Sequence, residues 1–295
     1  MTKKPVFQGV ATALITPTTP EGVDYAHLGR LIDWQIAEGV QALVVCATTG
    51  EAPTLTDAEH CQTLAFAVER AAGRVPIIAG TGSNDTAHAV MMTKEACALG
   101  VDGILAVTPY YNRATQTGLI RSFSAIADAS EKPVILYNVP GRTGVNIAPQ
   151  TYLALSEHPN IAGIKEASGN ISQVVETVSL VGDRLDLYSG NDDQIVPLLS
   201  LGGKGVISVL SNVLPKKTVA LCEAWFAGHH AESLHLQCQM LPLINALFSQ
   251  VNPIPVKAAL AKMGYCEDYL RLPLVPMEEP YRTRLYDCMK QQGLL

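Results

Sequence analysis

The chain has 295 residues, 48% of them hydrophobic and 16% charged, which is enough apolar material for a large buried core. Length alone suggests one or two domains, but α/β barrels of roughly 250 residues fold as one unit. The formal net charge of −6 gives no electrostatic reason to hold nucleic acid or an anionic membrane, so an anionic substrate needs local donors.

In chain order, Met1-Thr2-Lys3-Lys4 places two lysines ahead of an apolar run at 10–15. That run is short, interrupted by threonine and ended by Pro17, so it reads as a first strand over 10–16 rather than as a signal peptide. Asp24 is a candidate N-cap for a helix over 25–38, and a strand follows at 42–46. Thr56-Asp57-Ala58-Glu59 is a capping box opening a helix to about 72. Beyond it alternate a strand at 76–79, a helix at 86–99 stopped by Gly100, a strand at 103–107, a helix at 117–129 and a strand at 133–138. The rhythm continues with a helix at 149–156, a strand at 161–165, a helix at 172–180, a strand at 185–189, a helix at 193–201, a strand at 205–209 and a helix at 215–227. Three more helices are predicted at 231–250, 253–263 and 278–292.

The eight strand runs are mostly continuous in apolarity, as strands buried on both faces are. Strictly alternating strands and helices give a parallel sheet with right-handed crossovers, and eight units close most naturally into a (β/α)8 TIM barrel. The expected division is a barrel domain over 1–228 and a C-terminal helical subdomain over 229–295, with no low-complexity linker between them. An open doubly wound sheet is the rival, but the chain lacks its phosphate fingerprint. No run approaches the ~18 apolar residues of a membrane span. Seven cysteines at irregular spacing, without a C-x-x-C pair, argue against a disulfide framework and a zinc site. They point to a reducing, cytoplasmic compartment.

Four features invite a functional reading and yield to a plainer one. Gly80-Thr81-Gly82 follows a strand, but Asp85 stands where a dinucleotide loop needs its third glycine. Gly202-Gly203-Lys204-Gly205 lacks the spacing of a phosphate loop and precedes a strand, on the non-catalytic barrel face. His229, His230 and His235 lie on a late helix without acidic partners and read as a solvated face. Asp192 and Asp193 read as caps of the seventh helix rather than as a cation site.

In a barrel the strand C-termini converge on one rim. Here they carry Thr48-Thr49-Gly50-Glu51, Thr108-Pro109-Tyr110-Tyr111-Asn112, Tyr137-Asn138-Val139-Pro140, Lys165-Glu166 and Ser189-Gly190-Asn191. Lys165 ends an apolar run, where a lysine is rare. A dry barrel mouth would lower its pKa from ~10.4 toward the ~7–8 of a nucleophilic amine. A lysine paired to Glu166 at a strand end is the other reading of that position. Tyr137 offers a proton-transferring phenol, Thr48 and Thr49 offer hydroxyls and turn amides for a carboxylate, and Arg142 offers a planar fork for a second one. Singly each has a bland role, while together on one rim they suggest Schiff-base capture of a 2-oxo acid.

These same blocks, with Gly163-Ile164-Lys165-Glu166-Ala167-Ser168-Gly169, Gly203-Lys204-Gly205-Val206-Ile207-Ser208 and Asn252-Pro253-Ile254-Pro255-Val256-Lys257, resemble the signature blocks of the dihydrodipicolinate synthase family over nearly the whole chain. The resemblance implies condensation of pyruvate with L-aspartate-4-semialdehyde to 4-hydroxy-tetrahydrodipicolinate, in the diaminopimelate route to lysine. Lys165 would form the imine. Tyr137 would shuttle protons, linked through Thr48 to Tyr111 of a neighbouring subunit. Thr49 and the turn amides would hold the pyruvate carboxylate, Arg142 the carboxylate of the semialdehyde, and the carbonyls of Gly190 and Ile207 would line the pocket. It implies no metal or organic cofactor, no nucleic-acid or membrane partner, and a homo-oligomer of at least two copies, commonly four.

Ala47 stands where the family usually has glycine before Thr48, and Asn191 replaces a usual acidic residue. Lysine-inhibited members place polar, His and Glu side chains around an effector pocket. The matching positions here are Ala52, Pro53, Asp57, His60, Asn84, His88 and Tyr110. Asn84, His60 and Tyr110 fit that pattern, whereas Ala52, Pro53, Asp57 and His88 do not. His88 in place of a glutamate removes a partner for the effector's ammonium groups, so inhibition by lysine is expected to be weak or absent. The nearest rival activities are N-acetylneuraminate lyase and 2-keto-3-deoxy sugar-acid aldolase, which would not be expected to keep Gly141-Arg142-Thr143. A non-catalytic small-acid sensor is the rival of another class, opposed by the intact Lys165, Tyr137, Thr48 and Arg142.

Overall fold

The structure, a computed structural model, describes residues 5–295. The Met1-Thr2-Lys3-Lys4 segment weighed as a leader lies outside the described residues. The chain runs β1 (Gly9–Ala13), a short antiparallel pair β2 (Thr18–Thr19) and β3 (Gly22–Val23), α1 (Tyr25–Ala37), β4 (Ala42–Val45), α2 (Asp57–Ala71), β5 (Ile77–Gly80), α3 (Thr86–Ala98) and β6 (Gly103–Val107). It continues through α4 (Gln116–Asp128), β7 (Val134–Asn138), α5 (Pro140–Thr143), α6 (Pro149–Leu155), β8 (Ile161–Glu166), α7 (Ile171–Val181), β9 (Asp186–Ser189), α8 (Ile195–Ser200), β10 (Gly205–Ser208) and α9 (Pro215–Phe226). The helices α10 (His230–Leu247), α11 (Ile254–Lys262) and α12 (Tyr281–Gln291) follow.

Parallel pairing closes a barrel in the order β1-β10-β9-β8-β7-β6-β5-β4. Strand side chains alternate between the two sides of a sheet. One set, including Ala11, Ala13, Ala42, Val44, Ile78, Leu105, Ile135, Tyr137, Tyr188 and Ile207, packs together as the barrel interior. The intervening set, including Val10, Leu43, Ile77, Ile104, Leu136, Ile164 and Val206, packs outward with the helices. Both faces are therefore apolar, which is why the strand sequences read as unbroken runs. Small residues on β1 and β4 leave room for Tyr137 and Tyr188. At the N-terminal end Phe7 closes the interior, its ring stacked 4.3 Å from that of Tyr188 and its carbonyl accepting the Tyr188 hydroxyl at 2.9 Å.

The helix starts follow the sequence signals. Asp24 accepts from the His27 amide, and Thr56 and Glu59 close both bonds of the capping box. Elsewhere local geometry intervenes. β1 stops at Ala13, short of the run read at 10–16, because the chain turns out into the β2–β3 hairpin. The predicted helix over 193–201 starts as a 3-10 turn, and Asp192 does not cap it: neither that turn nor α8 has a side-chain N-cap bond. α10 packs along α9, while α11 is buried all round from Ile254 to Leu260, the environment of a helix apolar on every face. Among the described residues no helix is long and apolar enough to cross a membrane.

Candidate active site

The alternation that builds the barrel also places its reactive group. Ile164 faces the helices, so the next residue, Lys165, faces inward. The parallel register sets Lys165 beside Tyr137 of β7 and Tyr188 of β9. Lys165 is 4% exposed and Tyr137 6%, and the Lys165 Nζ lies 4.1 Å from the centre of the Tyr137 ring. Burial lowers the Lys165 ammonium from its ordinary value of 10.5 to about 7, with Asp192 opposing and Arg142 adding to the fall. About half of the amine is thus neutral and available as a nucleophile at pH 7. The Tyr137 phenol is pushed up by burial, against the pull of Arg142 and of a hydrogen bond with the Thr48 side chain. Gly190 reserves the space: a Cβ there would stand 2.8 Å from the Ala167 Cβ and 3.1 Å from the Lys165 Cε.

Glu166 is not the partner of Lys165. It faces the opposite side of the strand, where its carboxylate accepts from the Ser168 amide at 2.6 Å and from the Asn138 amide group and the Tyr152 hydroxyl. The strand-end ion pair that sequence leaves open is absent, because successive side chains of β8 point apart.

Beside Tyr137 opens a cavity of about 470 Å³, walled by Thr48, Leu105, Val107, Tyr110, Tyr137, Val139, Arg142 and Asn252, while Lys165 and Thr49 stand outside its wall. Arg142 reaches this mouth from α5, whose Pro140 pre-sets the first turn, and its Nη2 donates to the Asn252 carbonyl at 3.3 Å. The Thr48-Glu51 turn is closed by the Glu51 amide donating to the Thr48 carbonyl. Thr49 accepts from the Asn252 Nδ2 at 3.0 Å, leaving its own hydroxyl hydrogen for another acceptor. Gly190 and Ile207 stand outside the cavity wall: Gly190 packs against Lys165 and Ile207 lies in the interior core. Tyr111 points away, 90% exposed on a left-handed backbone with φ +73°.

Six of the seven proposed effector positions share the same cavity: Ala52, Pro53, Asp57, His60, His88 and Tyr110. His88 Nε2 lies 2.9 Å from Asp57 Oδ1. His60 is buried, and burial lowers its pKa to about 4, so it is neutral at pH 7. Asn84 is outside the wall, its carbonyl accepting from Asn112.

Two plainer readings need correction. Asp192 is a buried acceptor for the Ser208 hydroxyl and the Val209 and Leu210 amides rather than a cap. Its carboxyl is pushed up by burial, against those bonds and the field of Lys165. His229 has an acidic neighbour in Glu232 at 3.7 Å, although the three histidines are indeed exposed. Gly80 and Gly82 serve packing, since a Cβ at Gly82 would lie 2.3 Å from the Val107 amide nitrogen. Among the described residues no cluster of three or more His, Cys, Asp or Glu is arranged to hold a metal.

Sequence reasoning gave no role to Asn252 and Lys257. Lys257 is fully buried in α11, 2.6 Å from Glu51 Oε1 and 2.8 Å from the Thr18 hydroxyl. A lysine flanked by Val256 and Ala258 in a helix apolar on all sides was the signal available.

Comparison with known proteins agrees over the whole chain. The family model described as the Dihydrodipicolinate synthetase family matches residues 6–292. A 4-hydroxy-tetrahydrodipicolinate synthase of Caldicellulosiruptor saccharolyticus is 52% identical over 291 residues, covering 98% of each chain. One from Acetivibrio thermocellus is 51% identical over 293 residues, covering 99% of this chain and all of its own. The crystal structure of dihydrodipicolinate synthase from Thermotoga maritima superposes with a TM-score of 0.96 at 43% identity, covering 98% of this chain and 100% of that one. The chain belongs to the dihydrodipicolinate synthetase family.

Proposed function

We propose that this member of the family condenses pyruvate with L-aspartate-4-semialdehyde to give 4-hydroxy-tetrahydrodipicolinate and water. The observation that carries the reading is the dry Lys165 amine against the face of Tyr137, a ring that lines one cavity with Thr48 and Arg142. Neutral Lys165 adds to the pyruvate ketone. Tyr137 passes protons to and from the carbinolamine, and water leaves to give the imine. Loss of a methyl proton makes the enamine, whose carbon attacks the aldehyde of the second substrate. The substrate's own amine then displaces Lys165 and closes the ring.

Thr49 and the turn amides suit the pyruvate carboxylate, and the Arg142 fork suits the carboxylate of the semialdehyde. Arg142 also favours this reaction over sugar-acid cleavage, whose substrates lack a short second carboxylate. Gly190 leaves space beside the Lys165 side chain, and Ile207 packs in the barrel interior. Tyr111, exposed on a strained backbone, supports a site completed by a neighbouring copy and hence a homo-oligomer. Seven free cysteines suit a reducing cytoplasm, and residues 229–295 serve as a helical subdomain attached to the barrel.

Pyruvate plus borohydride, followed by mass spectrometry, tests the reading. An adduct on Lys165 is expected, together with turnover in an assay with both substrates and none with sialic acid. No adduct, or full turnover in Lys165→Ala, would overturn it.

A further inference from the structure

Among the described residues, the most deeply buried ion pair lies beside the site and takes no part in the chemistry above. Lys257 and Glu51 are separated by 206 positions in sequence, and their side chains are 0% and 1% exposed. A buried pair is a poor stabiliser, because desolvation offsets the attraction, but it fixes a position strongly. Glu51 needs fixing, since it holds a left-handed backbone at φ +55° without being glycine. Such a conformation persists where the surroundings over-determine it.

Three contacts hold this turn. Lys257 Nζ holds the Glu51 carboxylate, the Thr16 hydroxyl donates to the Gly50 carbonyl at 2.8 Å, and Asn252 holds Thr49. The Glu51 amide in turn donates to the carbonyl of Thr48, and Thr48 lines the same cavity as Tyr137. A line of bonds therefore runs from α11 to the turn that sets Thr48 in the cavity wall beside Tyr137.

We propose that Lys257 is a positioning residue for the condensation: through Glu51 it holds the turn that places Thr48 in the cavity wall it shares with Tyr137, so the C-terminal helices act on the rate and not only on the fold. This rests on the reading of Lys165 and Tyr137 given above. Displacing a reacting group by about 1 Å costs on the order of 10²-fold in rate.

The test uses Lys257→Met, Glu51→Gln and the double variant in the full-length protein. Each is measured for cooperative unfolding, for pyruvate trapped on Lys165 by borohydride, and for kcat, KM and the pH profile of kcat. We expect folded variants that still trap pyruvate, kcat reduced about 10- to 100-fold, and a displaced pH profile. The double variant should lose no more than the worse single one, because the pair acts as a unit. Should Lys257→Met alone fail to fold, Glu51→Gln keeps the shape and the hydrogen bond, and the double variant removes both charges together.

Folded variants with unchanged kcat and pH profile would confine Lys257 to stability and overturn the proposal. So would a kcat that falls only as the folded fraction falls. Native enzyme that traps no pyruvate fails at an earlier step and removes the proposed function as well.

Discussion

Replacing Lys165 by methionine should make the protein more stable while abolishing its chemistry. The two side chains are of similar length, so the apolar interior stays filled. What is removed is the cost of burying an amine that is charged in water. Lys165 falls from 10.5 to about 7, chiefly by desolvation, and each pH unit is about 1.4 kcal/mol. The native protein therefore carries a penalty of about 5 kcal/mol well below pH 7, and about 4 kcal/mol at pH 7, where the folded amine is half neutral. Between pH 7 and 10.5 the unfolded chain holds a proton that the folded chain has released, so native stability rises with pH. Above 10.5 the amine is neutral in both states and the penalty is gone. Denaturant unfolding of the two proteins at intervals from pH 6 to 10.5 measures this. Lys165→Met should lead by about 4 kcal/mol at pH 7 and lose its lead as pH climbs. Equal unfolding free energies across the range would show that Lys165 is not desolvated, and the account of its nucleophilicity would fall with it.

The same ionisation should appear in the chemistry: imine formation with pyruvate should climb about tenfold per pH unit below 7 and level off above it, whereas a rise continuing to pH 10 would contradict the lowered amine. Tyr137→Phe should keep trapping pyruvate but lose about 10²- to 10⁴-fold in kcat, the usual worth of a positioned proton donor; unchanged turnover would remove Tyr137 from the relay. Arg142→Ala should raise KM for the semialdehyde roughly 10²-fold, the worth of a charge-assisted pair, with pyruvate trapping unaffected. Free lysine at low concentration should leave the steady-state rate unchanged, because the ammonium groups meet His88 and the Asp57 that His88 already engages; strong inhibition would refute that reading.

The eight strands were legible because the barrel buries both their faces, so the runs are apolar without gaps. The β2–β3 hairpin was not, since two-residue strands of threonine, glycine and valine leave no periodic trace. Lys165 announced itself as a cation closing an apolar run, and strand alternation then settled whether Glu166 could meet it. Asp192 was misread because an aspartate before a helix looks the same whether it caps that helix or turns into the core. Asn252 and Lys257 were out of reach for a different reason. Their partners Thr49 and Glu51 lie more than 200 positions away, and nothing local encodes such a contact.

Two lysines are buried at this end of the fold, and what separates them is whether a carboxylate has been supplied. Lys257 lies 2.6 Å from Glu51 and has the Thr18 hydroxyl as well. Lys165 forms no ion pair among the described residues. The carboxylate whose field it feels most, Asp192, is occupied by the Ser208 hydroxyl and two amides. The carboxylate next to it in sequence is turned to the far side of the strand and bound there by Asn138, Tyr152 and Ser168. Its surroundings are instead the Tyr137 ring and the space left open by Gly190. A lysine given a partner can serve as a strut, and one denied every partner releases its proton near neutrality and is free to serve as the nucleophile proposed above. On this view the acceptors around Asp192 and Glu166 are as necessary to the reaction as the amine itself, because they keep two nearby carboxylates from pairing with it.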